Sequence, residues 1–269
     1  MSGTPVRRFP DADALGDALA AEIVAGIAGA AAEGRPYVLG CPGGRTARTT
    51  YAALARRLAG RDASMLVIAM MDEYLIPGPD GRLVAADPAA HYSCRGFAER
   101  EIAGPIAALA ARPIPDAQIW LPDPGDAAAY EARLAAAGGI DLFILASGAS
   151  DGHVAFNPPG SDPDGGPWIV PLPDSTRRDN LATFPEFRSL DEVPRHGVSV
   201  GLGTIVRCSR RARLVLSGAG KRRAAGRILG HGGFDPGWPA SVVHRCRDGE
   251  VWIDAAAEPD GAMMRRTAG

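Results

Sequence analysis

A chain of 269 residues, 46% apolar and 22% charged, has the length and composition of one ordered α/β domain with a sizeable core, and these values exclude a disordered protein. A formal net charge of −2, with arginines interspersed among acidic residues, excludes a polyanion-binding surface, so no nucleic-acid partner is expected. Cys41, Cys94, Cys208 and Cys246 are irregularly spaced, the stretch Met1 to Pro10 lacks an apolar signal core, and no run approaches the roughly 18 apolar residues of a membrane span; reduced thiols, a cytoplasmic location and no membrane partner are expected.

In chain order, Leu15, Leu19, Ile23 and Ile27 recur every four residues behind a plausible Asp11 cap and stop before Gly34 and Pro36, which predicts an amphipathic helix. Tyr37 to Gly40 reads as a short strand, followed by the glycine turn Pro42-Gly43-Gly44 and a helix over Thr49 to Leu58. Met65 to Met71 reads as a strand buried on both faces, interrupted at Asp72. Glu99 to Ala111 and Ala127 to Ala137 predict helices, and Ile140 to Leu145, Val198 to Val200 and Leu214 to Leu216 predict further strands. The basic stretch Arg207 to Arg213 reads as a solvated helix end and strand lead-in, and Val242 to Val243 with Val251 to Ile253 as a hairpin around Asp248-Gly249. There is no internal repeat; Asn157 to Trp168 is the longest loop candidate. The alternation predicts a doubly wound, mostly parallel α/β sheet with helices on both faces, Rossmann-like, as a single domain over 1–269 with a flexible tail from about residue 256.

Four polar segments each follow an apolar strand: Pro42 to Thr46, Asp72 to Tyr74, Ser147 to Asn157 and Ser217 to Lys221. In such sheets ligands bind beyond the carboxyl ends of the strands, so these segments are expected on one edge. Cys41-Pro42-Gly43-Gly44-Arg45-Thr46 puts two glycines and a hydroxyl at a helix N-terminus, where free amides and the helix dipole favour a phosphate. A glycine pair there also makes a simple tight turn; Arg45 favours the phosphate because a guanidinium forks onto its oxygens. Asp72 and Glu73 form a carboxylate pair over an apolar floor, where desolvation makes a better base; the competing reading is a turn cap with Glu73 solvated. Asp151 lies two residues before His153 with Gly152 between, which suits a carboxylate that orients an imidazole. Arg177 and Lys221 are candidates for the remaining phosphate charges, or surface cations. His244 and Cys246 are two metal ligands without two more, so no metal is expected.

Together and in this order, the segments resemble the deaminase branch of the glucosamine-6-phosphate deaminase and 6-phosphogluconolactonase superfamily. Leu39 to Thr46 matches its phosphate loop, Met71-Asp72-Glu73-Tyr74 its MDEY motif and Asp151-Gly152-His153-Val154-Ala155-Phe156-Asn157 its DGHIAFN motif. Val200 to Ile205 and Gly218 to Lys221 resemble two further segments, so the match runs roughly from Val38 to Asp254. The resemblance implies the fold of that family and a sugar-phosphate substrate. It implies that His153 opens the sugar ring with help from Asp151, and that Asp72 shuttles a proton between C1 and C2 before ammonia leaves. It assigns Gly43, Gly44, Arg45, Thr46, Arg177 and Lys221 to the 6-phosphate, and no metal or organic cofactor, because the substrate's own carbonyl stabilises the enediol. Homo-oligomerisation is left open.

The chain departs from the deaminase pattern at Pro158, where a glutamate follows AFN, at Arg45, which replaces a glycine, and at His91, where serine is common. Three readings follow. One is a sugar-phosphate isomerase and deaminase with Asp162 or Asp164 substituting for the glutamate. The second is a lactonase in which His153 activates water and Arg177 holds the phosphate. The third is a non-catalytic sugar-phosphate-binding protein.

Overall fold

The computed structural model describes residues 3–259. The tail expected from about residue 256 falls mainly on 260–269, outside the described residues; Ala257 is buried and donates its N–H to Asp254.

Strand β1 (Val6–Phe9) leads into α1 (Ala12–Ala32), which starts where the Asp11 carboxylate accepts the Ala14 N–H at 2.8 Å. The four-residue spacing places Leu15, Leu19, Ile23 and Ile27 on one buried face. Contrary to the expectation that no run reaches that length, α1 is long and apolar enough by composition to cross a membrane. Its leucine and isoleucine stripe is instead buried in the core, and Asp17 and Glu22 pair with Arg57 and Arg213. Next come β2 (Tyr37–Cys41), α2 (Arg48–Arg57) and β3 (Leu66–Met70), with β2 and β3 parallel from Tyr37 opposite Leu66 to Cys41 opposite Met70.

At Asp72 the chain changes sheet. β4 (Asp72–Pro77) and β5 (Leu83–Ala85) form an antiparallel pair, followed by α3 (Cys94–Phe97), a π-helical stretch at Ala98–Ala103 and α4 (Gly104–Ala107). The helix expected from Glu99 therefore begins at Cys94. Then follow β6 (Ile119–Trp120), α5 (Ala127–Ala136), β7 (Leu142–Ala146), β8 (Trp168–Pro171), α6 (Asp174–Thr183), β9 (His196–Ser199), α7 (Leu202–Cys208), β10 (Ala212–Leu216), α8 (Arg222–His231) and β11 (Gly249–Asp254).

The main sheet runs β1-β11-β10-β7-β2-β3-β6 with every pairing parallel, the doubly wound α/β architecture. Alternating side chains feed two cores. Leu39, Ile68 and Ile144 pack with the stripes of α1 and α2, while Val38, Val67, Phe143 and Leu145 pack with α5, α7 and α8. Each such side chain contributes about 1.5–3 kcal/mol on burial, which is why these strands read as unbroken apolar runs. From β2 the strand order proceeds to β3 and β6 on one side, then jumps to β7, β10 and β11 on the other. The reversal opens a crevice between the carboxyl ends of β2 and β7.

Three sequence expectations fail in physical terms. Val198, expected in the main sheet, lies in β9 of a second, antiparallel sheet ordered β5-β4-β9-β8, where it pairs with Glu73 and Ile169. The expected hairpin is absent: Val242 and Val243 lie in a 3₁₀ segment, Pro239–Arg245, and β11 runs parallel between β10 and β1. In the basic stretch Arg213 is buried, not solvated, and its guanidinium donates to Glu22 and Asp248.

Candidate active site

The crevice is a cavity of about 490 Å³. All four polar segments read from the sequence reach it: Pro42 to Thr46 after β2, Asp72 and Tyr74 after β3, Ser147 to Ala149 with His153 after β7, and Ser217, Gly218 and Lys221 after β10. Each arrives from the carboxyl end of a parallel strand, so the sheet itself places them.

Asp72, the first residue of β4, is only 6% exposed, and the Cys94 thiol donates to its Oδ1 at 3.3 Å. Burial pushes its carboxyl up to about 7; the Cys94 hydrogen bond and the nearby His153 pull the other way, and Glu73 adds to the rise. A carboxylate poised near neutrality is suited to take and return a proton. Glu73 is not solvated. It is buried and accepts from Tyr74 N, Ser93 Oγ, Cys94 N and Arg95 N at 2.8–3.0 Å, so it holds the start of α3, and with it Cys94, against Asp72.

Asp151 Oδ1 lies 2.7 Å from His153 Nδ1 and accepts the His153 backbone N–H at 3.1 Å. Its Oδ2 accepts from Ser175 Oγ at 2.8 Å and Thr176 Oγ1 at 2.9 Å, both on α6. Burial acts to raise the Asp151 carboxyl, but the hydrogen bond and charge of His153 outweigh it and hold the group well below the usual carboxylate range. A fixed anion on Nδ1 sets the tautomer and leaves Nε2 as the nitrogen for chemistry. The tight turn between the two residues needs glycine: Gly152 has φ 71°, and a Cβ there would lie 2.3 Å from the Trp238 ring. Ala155, lining the cavity, has φ 49°, and is the one non-glycine residue with positive φ among the described residues. The segment is clamped by Asn157, whose amide donates to Val154 O and Val200 O and accepts from Trp168 Nε1.

At the cationic side of the cavity, Gly43, Gly44, Arg45 and Thr46 precede α2, whose cap residue Ala47 offers no side-chain hydrogen bond, so the helix dipole adds positive potential. Tyr51 of α2 donates to Pro42 O at 2.8 Å and fixes the loop from below. Lys221 Nζ donates to Ser147 O at 2.6 Å. Burial lowers the Lys221 ammonium, the Asp179 charge opposes this, and the Arg45 charge adds to it, so the two cations and Asp179 share one neighbourhood.

Arg177 does not join them. It is 3% exposed, and its guanidinium is taken by Val193 O, Leu190 O and the Asp174 carboxylate. The reason is helical phase. On α6 the positions Thr176, Asp179, Asn180 and Thr183 share a face, with Thr176 on Asp151 and the other three lining the cavity, while Arg177 lies about 100° further round. Asp179, missed from sequence, accepts from Ala149 N at 2.9 Å and Ser150 N at 3.1 Å. Asp162 and Asp164, considered as substitutes for a glutamate at the position of Pro158, also lie elsewhere: Asp162 accepts from Asp164 N, and Asp164 pairs with Arg245 outside the cavity.

Asp151, His153 and Asp179 are, among the described residues, the group whose ligand atoms converge within 4.8 Å, but both Asp151 oxygens and His153 Nδ1 are already engaged by one another and by the α6 hydroxyls. His244 is likewise committed, to Thr4 Oγ1 and Ile228 O.

This arrangement has relatives. The family described as glucosamine-6-phosphate isomerases/6-phosphogluconolactonase matches residues 10–253. The glucosamine-6-phosphate deaminase of Beutenbergia cavernae is 36% identical over 244 residues, covering 88% of this chain and 87% of the relative. A solved monomeric glucosamine-6-phosphate deaminase superposes with a TM-score of 0.78 at 24% identity, covering 94% of this chain and 98% of its own. The 6-phosphogluconolactonase of Thermotoga maritima gives a TM-score of 0.65 at 19% identity, covering 93% and 99%, and both likenesses are of fold. With a match across almost its whole length, the chain belongs to the glucosamine-6-phosphate isomerase/6-phosphogluconolactonase family.

Proposed function

We propose that the protein is a glucosamine-6-phosphate deaminase. The observation that carries this reading is the meeting, in one cavity, of a buried carboxyl titrating near neutrality and an Asp-held imidazole with Arg45 and Lys221. The two cations and the glycine loop bind the 6-phosphate. His153 Nε2 takes the proton of the C1 hydroxyl and delivers it to the ring oxygen as the C1–O5 bond breaks, and the sugar opens to the aldehyde. Asp72 removes the C2 proton and returns it to C1; water then adds at C2 and ammonia leaves, giving the ketose 6-phosphate. The residues named need no group beyond the substrate's own carbonyl. The deaminase names of relatives at 34–37% identity over most of the chain support the reading.

One observation favours a second reading. Pro158 carries no carboxylate, and neither Asp162 nor Asp164 reaches the cavity. Hydrolysis of a 6-phosphogluconolactone, with His153 activating water, needs no such group. The purified protein is expected to release ammonia and ketose phosphate in equal amounts from glucosamine 6-phosphate, and no acid from 6-phosphogluconolactone above the spontaneous rate. Acid without ammonia would replace the deaminase with the lactonase. No turnover of either, with a sugar phosphate still raising the melting temperature, would leave a binding protein.

A further inference from the structure

We propose that Asn180 is a specificity-determining residue whose side-chain amide hydrogen-bonds a hydroxyl in the middle of the sugar chain, the one at C4, and so selects hexose 6-phosphates that carry it. The inference deepens the sugar-phosphate reading of the cavity and rests on it for the ligand. Asn180 lines the cavity and is 8% exposed, and its buried Nδ2 has no partner among the described residues. A buried amide donor left without an acceptor costs free energy, and a ligand oxygen removes that cost. The last torsion of an asparagine is broad, so an amide whose nitrogen nothing holds turns readily to meet a ligand as donor or acceptor.

The other residues on this face of α6 are already committed. Thr176 donates its hydroxyl to Asp151 Oδ2 at 2.9 Å, and Thr183 donates its own to Asp179 O at 2.9 Å. Asp179 Oδ2 accepts the amides of Ala149 and Ser150, and the Asp179 charge falls on Lys221. Ala182 lines the cavity without a polar side-chain atom. Among the described residues, Asn180 is therefore the side-chain donor that this wall leaves for a ligand.

Position along the helix decides which part of the ligand Asn180 meets. Thr176 marks the imidazole end of the face, through Asp151, and Thr183 marks the phosphate-loop end, its Cγ2 lying 3.4 Å from where a Cβ on Gly44 would stand. At the α-helical rise, Asn180 falls about 6 Å past the first and about 4.5 Å before the second. A hexose 6-phosphate with C1 and C2 at Asp72 and His153, and its phosphate over the Gly43-Gly44 turn, passes Asn180 with C3 to C5. C4 is the centre of that stretch, and its hydroxyl is present in the closed ring and in the open chain alike. A neutral amide suits a hydroxyl, which both donates and accepts, whereas the phosphate oxygens are met by Arg45 and Lys221.

The test is a binding cycle by titration calorimetry, with glucose 6-phosphate, 4-deoxyglucose 6-phosphate and inorganic phosphate as ligands for the parent and for Asn180→Ala. Glucose 6-phosphate has no amine to lose, so the readout needs no deamination. The parent is expected to bind the 4-deoxy compound about tenfold more weakly than glucose 6-phosphate, and Asn180→Ala to bind the two alike, with inorganic phosphate changed by less than about twofold. Should the Ala variant not fold, Asn180→Leu, close in volume and apolar, gives the same pattern. The melting temperature of the free Leu variant is not expected to fall, because the change removes a buried donor that has no partner. Equal weakening of both sugar phosphates in the variant, or unchanged binding of both, overturns the proposal. Weakening of inorganic phosphate by the same factor also overturns it, by placing Asn180 at the phosphate. A parent that binds neither sugar phosphate overturns the inference together with the sugar-phosphate reading, whereas failure to release ammonia removes the deaminase reading alone and leaves the cycle to decide on Asn180.

Discussion

Asp72→Asn is expected to lower kcat with glucosamine 6-phosphate by about 10³-fold and, at the same time, to raise the melting temperature at pH 8. The two effects have one cause. Burial holds the Asp72 carboxyl up at about 7 against an ordinary value of 3.8, so its charged form is disfavoured in the folded state. The sign follows from linkage. A carboxyl whose folded value is raised favours folding least above that value, so the cost is absent below about pH 4, grows to about pH 7 and is constant beyond it. The asparagine removes a cost on the order of a few kcal/mol at pH 8 and nothing at pH 4, so the melting temperature should rise only at the higher pH. Activity moves oppositely, because the ionised form is the base that takes the C2 proton. The parent enzyme's kcat/KM should climb with pH through about 7. Cys94→Ala, which removes a hydrogen bond that lowers the Asp72 value, should move that limb to higher pH. A kcat for Asp72→Asn within tenfold of the parent would take Asp72 out of the proton transfer.

Gly148→Ala is the second large effect, and it acts without replacing an ionisable side chain. A Cβ on Gly148 would stand 2.3 Å from His153 Nδ1, 2.6 Å from its Cε1 and 2.7 Å from Asp151 Oδ1. Neither partner can yield without lengthening the 2.7 Å contact between them, because Asp151 is tied through its other oxygen to Ser175 and Thr176. A displacement of about 1 Å in a catalytic group costs about 10²-fold in rate, so kcat should fall by at least that factor with KM little changed. The His153 ring resonances should shift in the variant, which ties the loss to the imidazole. Full activity with unshifted resonances would mean that the Asp151–His153 contact is not needed for turnover.

The helix α1, the strands β2, β3, β7 and β10 and the gathering of four loops on one sheet edge were legible in the sequence because burial on both faces leaves continuous apolar runs and helical burial leaves a four-residue stripe. The second sheet was not legible. β4 and β9 carry buried side chains like any core strand, and nothing local in Asp72 to Pro77 states that the partner strand is distant and antiparallel. Within the candidate site the loop residues and the Asp151–His153 pair were readable because their chemistry is local. The α6 face was not: Ser175-Thr176-Arg177-Arg178 drew attention to its cations, whereas a helix starting at Asp174 turns Thr176, Asp179 and Asn180 to the site and buries Arg177 under its own carbonyl partners. Cys94, and the part Glu73 plays in holding it, were not legible for the same reason, since both depend on α3 folding back onto β4.

The most direct measurement is a crystal structure of the Asp72→Asn variant with glucosamine 6-phosphate trapped in the cavity. The account predicts the phosphorus within about 4–5 Å of the Arg45 guanidinium and Lys221 Nζ, over the Gly43-Gly44 turn, with C1 and C2 beside residue 72 and the ring oxygen at His153 Nε2. A phosphate bound elsewhere, or a sugar whose C1 and C2 lie out of reach of both residue 72 and His153, would contradict it.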